Sequence, residues 1–132
     1  MKKIIILLFA TLLFGCIKYK NGKTFDEDVK IESLGEPIKI EYYQRMRTQN
    51  SNELEKNPAF QITEKAKISG AMSEIKTAKD AGLWKGIWDK VIITYPDTIL
   101  QLSVSEKKIG YYDHLYYLKE NNFIERHLKQ QE

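Results

Sequence analysis

The feature that most constrains the fold is an apolar run at the start of the chain, because it removes the first residues from any globular core. Lys2 and Lys3 precede an uncharged, largely apolar stretch over residues 4–14. Gly15 and Cys16 follow it directly. A positive start, an apolar middle and a small residue at the end are typical of a secretory signal peptide. The run is shorter than the roughly 20 residues that a membrane-spanning helix needs, although an uncleaved anchor stays the alternative.

The end of this run resembles a known processing site. The residues Leu13-Phe14-Gly15-Cys16 are similar to the lipobox of bacterial lipoproteins, and the match covers residues 1–16 alone. The resemblance implies that Cys16 receives a diacylglycerol, that the chain is cut between Gly15 and Cys16, and that acyl chains such as palmitate hold it. It also implies attachment to the cell membrane or the outer membrane, facing the periplasm or the exterior. Two acyl chains give a stable hold where one is marginal.

Composition limits what the mature chain can be. Removing residues 1–15 leaves 117 residues, which is the size of one domain with its own core. The loss of Lys2 and Lys3 lowers the formal net charge from +3 to +1, so no excess of basic charge points to nucleic acid. Cys16 is the single cysteine, and lipid attachment would use it. The exported domain would therefore have no disulfide and would depend on packing.

The chain after Cys16 divides into two predicted parts. Residues 16–35 mix charges with few apolar side chains, and they predict a lipidated cysteine followed by a flexible tether. Fully extended, that tether would reach on the order of 60 Å at about 3.3 Å per residue. Its acidic cluster over residues 26–28 is interpreted as a solubilising run. A single folded domain is predicted over residues 36–132.

Alternating apolar and polar residues predict most strands of this domain, and a β-branched apolar run predicts the one at residues 90–95. In residues 37–43, Ile38, Ile40 and Tyr42 fall on one face of the first strand. Pro58 is compatible with an edge strand or an irregular return after a turn at residues 49–52. Further strands are predicted over residues 90–95, 100–104, 109–112 and 115–118, in the order of a meander. Residues 59–62 are interpreted as a short apolar approach to a helix.

Helical spacing and capping residues predict two helices. Thr63 is the expected N-cap of the first, which would end near Ala81 with Gly82 as its left-handed cap. Gly70 inside it is expected to allow a close approach to the sheet. Asn122 is the expected N-cap of the last helix, with Glu125 as its reciprocal partner. The predicted fold class is therefore α+β, a small antiparallel meander with a central and a C-terminal helix packed on one face.

Residues that could carry catalysis are few. Asp113-His114 would form a turn, and adjacent residues of an extended segment point in opposite directions, which disfavours a catalytic dyad. His127 is expected to pack or cap the last helix. Glu106 and Glu120 are interpreted as exposed charges rather than as paired carboxylates. We therefore expect no catalytic residue, no metal and no cofactor, and an enzyme is the least favoured class.

Aromatic residues give the sharpest binding hypothesis. The candidate partner-binding residues are Trp84, Trp88, Tyr112 and Tyr117, because tryptophan is enriched at binding hot spots and one tyrosine of each neighbouring pair in a strand must leave the core. The alternative is that the tryptophans complete the core. The expected function is a lipid-anchored inhibitor or immunity-type module that binds a protein partner at the cell envelope. The alternative function is a structural or accessory component of an envelope complex.

Overall fold

The structure, a computed structural model, describes residues 23–47, 53–83 and 88–131. The signal-like segment with Gly15 and Cys16, the expected turn at residues 49–52, and Trp84 lie outside the described residues. The described residues form an α+β fold, which confirms the predicted class.

In the part of the chain that the structure describes, seven strands make one antiparallel sheet in the order β2-β1-β4-β5-β6-β7-β3. The strands are β1 (Lys39–Tyr43), β2 (Phe60–Ile62), β3 (Lys79–Leu83), β4 (Asp89–Thr94), β5 (Ile99–Val104), β6 (Lys108–Tyr111) and β7 (His114–Tyr117). The helices are α1 (Phe25–Val29), α2 (Lys65–Lys76) and α3 (Phe123–Lys129), and a 3₁₀ turn, Ile31–Leu34, follows α1. Strands β4 to β7 are consecutive neighbours, so the predicted meander is confirmed.

The core lies on one face of the sheet, and the helices cover that face. The register places Tyr42 opposite Val91, and Val91 opposite Leu102, so their side chains line the same face. These residues are buried in one cluster with Ile75 of α2 and Phe123 of α3. We call this side of the sheet the covered face and the other side the open face. The alternation predicted for β1 is confirmed at Ile40 and Tyr42, whereas Ile38 lies before the strand and is 54% exposed.

The predicted tether is wrong for the part of it that the structure describes. Phe25 and Ile31 are fully buried in the core, and the backbone N–H of Phe25 donates to the carbonyl of Ala78 at 2.8 Å. Asp28 of α1 accepts a hydrogen bond of 2.8 Å from the Tyr116 hydroxyl. The acidic cluster thus lies in a docked helix rather than in a solvated run, with Thr24 as its N-cap. The folded domain therefore includes residues 23–35 and does not begin at residue 36.

Helix α2 is shorter than predicted, and a strand follows it. The N-cap is Glu64 rather than Thr63, and the helix ends at Lys76. The expected continuation to Ala81 forms β3, which pairs with β7. Gly82 has the expected positive φ of 103°, but it serves a β-bulge in β3 instead of a helix end. The backbone pairing available along β7 overrides a sequence with little strand propensity.

The predictions made for Pro58, for residues 59–62 and for Gly70 have different outcomes. Pro58 precedes β2, which is an edge strand, as its missing N–H requires. The interpretation of residues 59–62 as a mere approach to the helix is wrong, because Ile62 pairs with Ile40 in the sheet. The close approach expected at Gly70 is also wrong, since an added Cβ there would meet nothing within 4 Å.

A buried polar cluster fixes α3 against α2. The Asn122 side chain accepts from the backbone N–H groups of Ile124 at 3.0 Å and Glu125 at 3.2 Å, which confirms the predicted N-cap. Glu125 accepts from the Asn122 side-chain amide at 3.0 Å rather than from its backbone. Glu74 of α2 accepts from the backbone N–H of Phe123 at 2.7 Å and pairs with Arg126 at 2.8 Å. Both buried polar side chains therefore have partners, as a stable core requires.

Candidate functional site

A hollow beside Trp88 is the first candidate site. Trp88 is half-buried and lies directly before β4. It lines a hollow of about 280 Å³ together with Arg45, Arg47 and Glu106, and the remaining lining residues are Asp89, Val104 and Ser105. The antiparallel pairing of β1 with β4 explains the arrangement, because the residues that follow β1 lie beside the residues that precede β4.

Asp89 holds the floor of this hollow in place. One carboxylate oxygen accepts from the Tyr42 hydroxyl, and the other accepts from the backbone N–H of Arg45 at 2.8 Å. Burial, followed by the hydrogen bond and charge of Asp89, raises the pKa of Tyr42 far above its ordinary range. Tyr42 is therefore a neutral donor at physiological pH, and Asp89 is engaged in structure. Besides Asp89, the polar and aromatic side chains that line this hollow are an indole, two guanidinium groups, the Ser105 hydroxyl and the Glu106 carboxylate.

The two candidate tyrosines lie at opposite ends of the β6–β7 hairpin. Tyr112 is in the turn with a φ of 54° and is 81% exposed. Tyr117 is the last residue of β7 and is 52% exposed, with the Lys108 ammonium 5.3 Å from its ring centre. Tyr116, its neighbour, is buried in the core. One tyrosine of this pair thus leaves the core, as strand geometry predicts.

The described candidates do not form one aromatic surface. Trp88 lies at the start of β4 and Tyr117 lies in β7, with β5 and β6 between them. Tyr112 is at the far end of β7 from Tyr117. Trp88, Tyr112 and Tyr117 therefore do not make one contiguous aromatic patch, because their positions are not neighbours at the same end of the sheet.

His114 lies between two carboxylates without making a hydrogen bond to either. Its Nδ1 is 3.9 Å from Asp80 Oδ2, and its Nε2 is 3.9 Å from Asp113 Oδ1. These distances exceed the hydrogen-bond range, and the imidazole is half-exposed. An orienting contact of the kind that activates a catalytic histidine is therefore not formed here. Within residues 23–47, 53–83 and 88–131, no group of three or more potential metal ligands is arranged to hold an ion.

The remaining titratable candidates have structural surroundings. His127 Nδ1 is 2.7 Å from the Phe123 carbonyl, and its ring stacks on Phe60 with the centroids 4.6 Å apart. Those contacts agree with the expected packing role. Glu106 lines the Trp88 hollow, and Glu120 lies in the turn before α3, both exposed.

Two larger clefts lie away from Trp88. One of about 580 Å³ lies between α2, the start of α1 and residues 35–37, and Asp26, Ile68 and Met72 are among its lining residues. One carboxylate oxygen of Asp26 is buried without a hydrogen-bond partner in the described structure. The other cleft, of about 490 Å³, runs beside β3 and β7 and is lined by Lys79 and Tyr117 among others.

Sequence reasoning missed Arg45 and Arg47 as site residues. Neither belongs to a motif, and their place beside Trp88 depends on the pairing of β1 with β4. The sequence does predict the two strands concerned, over residues 37–43 and 90–95, but it does not predict that they pair with each other. A parallel or non-adjacent arrangement of the two strands could not be distinguished from it without the structure.

The described helices and the comparisons add two facts. None of the helices among the described residues is both long and apolar enough to cross a bilayer. No protein-family model, no curated protein and no solved structure matches this chain.

Proposed function

We propose that this protein is a bacterial lipoprotein, held in a membrane of the cell envelope through lipid on Cys16, whose domain binds a protein partner through the hollow around Trp88. The lipobox resemblance of residues 13–16 supports the anchor. The observation that carries the binding role is the meeting of Trp88 with Arg45 and Arg47 around one hollow.

Tryptophan and arginine are the residue types most enriched at hot spots of protein interfaces. An indole offers a large, rigid apolar surface, and a guanidinium can bind a partner carboxylate through two parallel hydrogen bonds. Because Asp89 accepts a hydrogen bond from the backbone N–H of Arg45, the backbone at Arg45 is held in place before a partner binds. The entropy cost of ordering this part of the site on binding is therefore smaller. A small partner segment that carries an acidic side chain would match this hollow.

The folded domain includes residues that follow Cys16 closely in the sequence, so the domain with its Trp88 hollow is expected to lie near the membrane. Lys23, the first residue that the structure describes, is seven residues after Cys16 in the chain. At about 3.3 Å per residue they reach roughly 23 Å, far less than the tether predicted from composition. The partner is therefore expected to be an envelope protein near the bilayer, as for an inhibitor or immunity-type module.

An accessory structural component of an envelope complex is the second candidate. The separation of Trp88, Tyr112 and Tyr117 favours it, because a dedicated aromatic docking surface is not assembled from these three residues. In that case contacts would be made through another surface, such as the open face of the sheet, and would not depend on Trp88.

Capture from native envelopes separates these functions. The full-length protein with a C-terminal tag is recovered in mild detergent as the wild type, Trp88→Ala, Arg47→Ala and the control Tyr112→Ala. We expect one discrete envelope protein whose recovery falls at least about tenfold in the first two variants, since hot-spot truncations cost about 2 kcal/mol or more. Tyr112→Ala removes an exposed aromatic ring elsewhere and should leave recovery unchanged.

Circular dichroism of each variant shows whether the fold is retained. Equal recovery in all four proteins would contradict the binding role of the Trp88 hollow. Equal recovery of the same envelope protein would also favour the accessory component, whose contacts do not depend on Trp88.

A further inference from the structure

We infer that the open face of the sheet, led by Lys79, Tyr117 and Lys108, docks onto an anionic phospholipid surface and orients the domain on the membrane. The inference rests on the proposed lipid anchor and adds the side of the domain that faces the bilayer. We call these three residues the lysine row.

The lysine row is a consequence of strand register. Lys108 of β6 and Lys79 of β3 each lie opposite Tyr117 of β7, so the three side chains cross adjacent strands on one face. The Lys108 ammonium lies 5.3 Å from the centre of the Tyr117 ring. Tyrosine and lysine are the side chains that proteins place at the level of lipid headgroups, where an aromatic body meets a wet, charged boundary.

The open face as a whole carries a net positive charge. The strand alternation places five charged residues of the described strands on it, Lys39, Glu41, Lys79, Lys90 and Lys108, with a net charge of +3. Glu41 is neutralised locally, since Lys39 pairs with it at 3.2 Å. The uncompensated charge of this face is thus positive and is spread along the sheet.

The acidic side chains of α1 lie on the other side. Asp28 bonds the hydroxyl of Tyr116, which lines the covered face. Asp26 and Glu27 belong to the same five-residue helix. These carboxylates therefore do not offset the lysines of the open face, which favours that face as the side next to an anionic surface.

The position at which the chain from Cys16 joins the domain favours a bilayer as the surface that the open face contacts. The backbone N–H of Asp80 donates to the carbonyl of Lys23 at 2.9 Å, so the segment from Cys16 enters beside β3. Lys79 forms a bridge with Thr24 at this edge. The lysine row is therefore at the edge of the sheet nearest to the lipid. Attraction to an anionic surface acts within a Debye length of about 10 Å at 0.1 M salt, which a seven-residue tether allows.

Lysine footprinting on vesicles tests the docking. The full chain is purified from membranes and reconstituted into vesicles of phosphatidylcholine, with or without one third phosphatidylglycerol. A trace of an amine-acetylating reagent is added, and peptide mass spectrometry gives the acetylation rate of each lysine. Lys65 and Lys67 serve as references, because both are exposed on α2, away from the open face.

We expect the rates at Lys79 and Lys108 to fall at least about threefold on the anionic vesicles and to recover in 0.5 M salt, while the references stay constant. Unchanged rates on protein that floats with the vesicles would overturn the docking and leave the anchor intact. Failure to float with either vesicle would overturn the anchor and the docking together. Protection in native envelopes but not on anionic vesicles would assign the lysine row to an acidic protein instead, which also overturns the inference.

Paired variants test whether the location of the charges matters. Lys79→Gln/Lys108→Gln and Lys65→Gln/Lys67→Gln each remove two positive charges. The reporter is Lys90, which lies on the open face outside the lysine row. The first pair should abolish its protection on anionic vesicles, and the second should preserve it. Equal behaviour of the two pairs would contradict docking through this face.

Discussion

The two faces of the sheet differ in what their side chains touch. On the covered face, apolar residues from β1, β2, β4, β5, β6 and β7 pack against the helices, and the buried polar groups Asn122 and Glu74 have hydrogen-bond partners. On the open face, lysines, a glutamate and tyrosines meet solvent, with Ile99 more than half-exposed. The packing that stabilises the domain therefore lies on one side of the sheet, and the other side presents mainly polar and charged side chains to solvent. A domain without a disulfide depends on such packing for its stability.

A matched pair of isoleucines gives the largest expected contrast. Ile31 is buried on the covered face, and Ile38 is exposed. Ile31→Ala should lower the free energy of unfolding by about 2–5 kcal/mol, because it leaves a cavity, whereas Ile38→Ala should change it by less than about 0.5 kcal/mol. Urea denaturation followed by circular dichroism measures both values. Equal small effects would mean that residues 23–35 do not belong to the core.

The polar attachment of α3 should rank second. Asn122→Ala removes the acceptor of two backbone N–H groups and the donor to the Glu106 carbonyl, all in a fully buried position. We expect a loss of about 2–3 kcal/mol in the free energy of unfolding. Glu120→Ala, an exposed change two residues earlier, is the control and should be neutral. A loss below about 0.5 kcal/mol for Asn122→Ala would show that α3 is held by its apolar contacts alone.

Two glycines should respond with opposite signs. Gly70→Ala places a methyl group in open space on the exposed side of α2 and should raise the free energy of unfolding by about 1 kcal/mol. Gly82→Ala forces an L-residue to a φ of 103° and should lower it by about 1–2 kcal/mol. Thermal unfolding of the two variants checks both signs. A gain at Gly82 would contradict the bulge in β3.

The smallest effect concerns one buried hydroxyl. The Tyr95 hydroxyl is buried without a hydrogen-bond partner in the described structure, and burial raises its pKa to about 12. Tyr95→Phe should therefore raise the free energy of unfolding at pH 7 by up to about 1 kcal/mol. Tyr116→Phe, which removes a satisfied donor to Asp28, should lower it by a similar amount. Denaturation at pH 7 compares the two, and destabilisation by Tyr95→Phe would contradict an unpartnered hydroxyl.

The same residue predicts an alkaline effect. A raised pKa means that the folded state keeps its proton longer, so the contribution is present below pH 10 and is lost as the pH rises towards about 12. In that window Tyr95→Phe should lessen the fall of the unfolding free energy by up to about 1.4 kcal/mol per pH unit. An unchanged slope would mean that Tyr95 titrates normally.

The sequence predicted the elements whose pattern is local. Strands β1 and β5 alternate clearly, β4 contains a run of β-branched apolar residues, and Asn122 indicates the start of α3 as its N-cap. It did not predict α1, because a five-residue helix is too short for periodicity and Phe25 stands among charges. It did not predict β3 either, because Gly82 is equally expected at a helix end or a bulge.

Some residues of the candidate sites could be predicted from the sequence, and others could not. Composition indicated Trp88, and strand alternation indicated that one tyrosine of the Tyr116-Tyr117 pair would be exposed. The arginines beside Trp88 and the lysine row depend on which strands are neighbours. That information is long-range, and periodicity within a strand does not contain it.

The most direct test of the account is the intact mass of the protein extracted from membranes of its native cell. A short-tethered lipoprotein predicts a chain that begins at Cys16 and carries the added mass of a diacylglycerol on that residue. A chain that begins at Met1 with an unmodified thiol at Cys16 would contradict the anchor, the short tether and the orientation proposed for the open face.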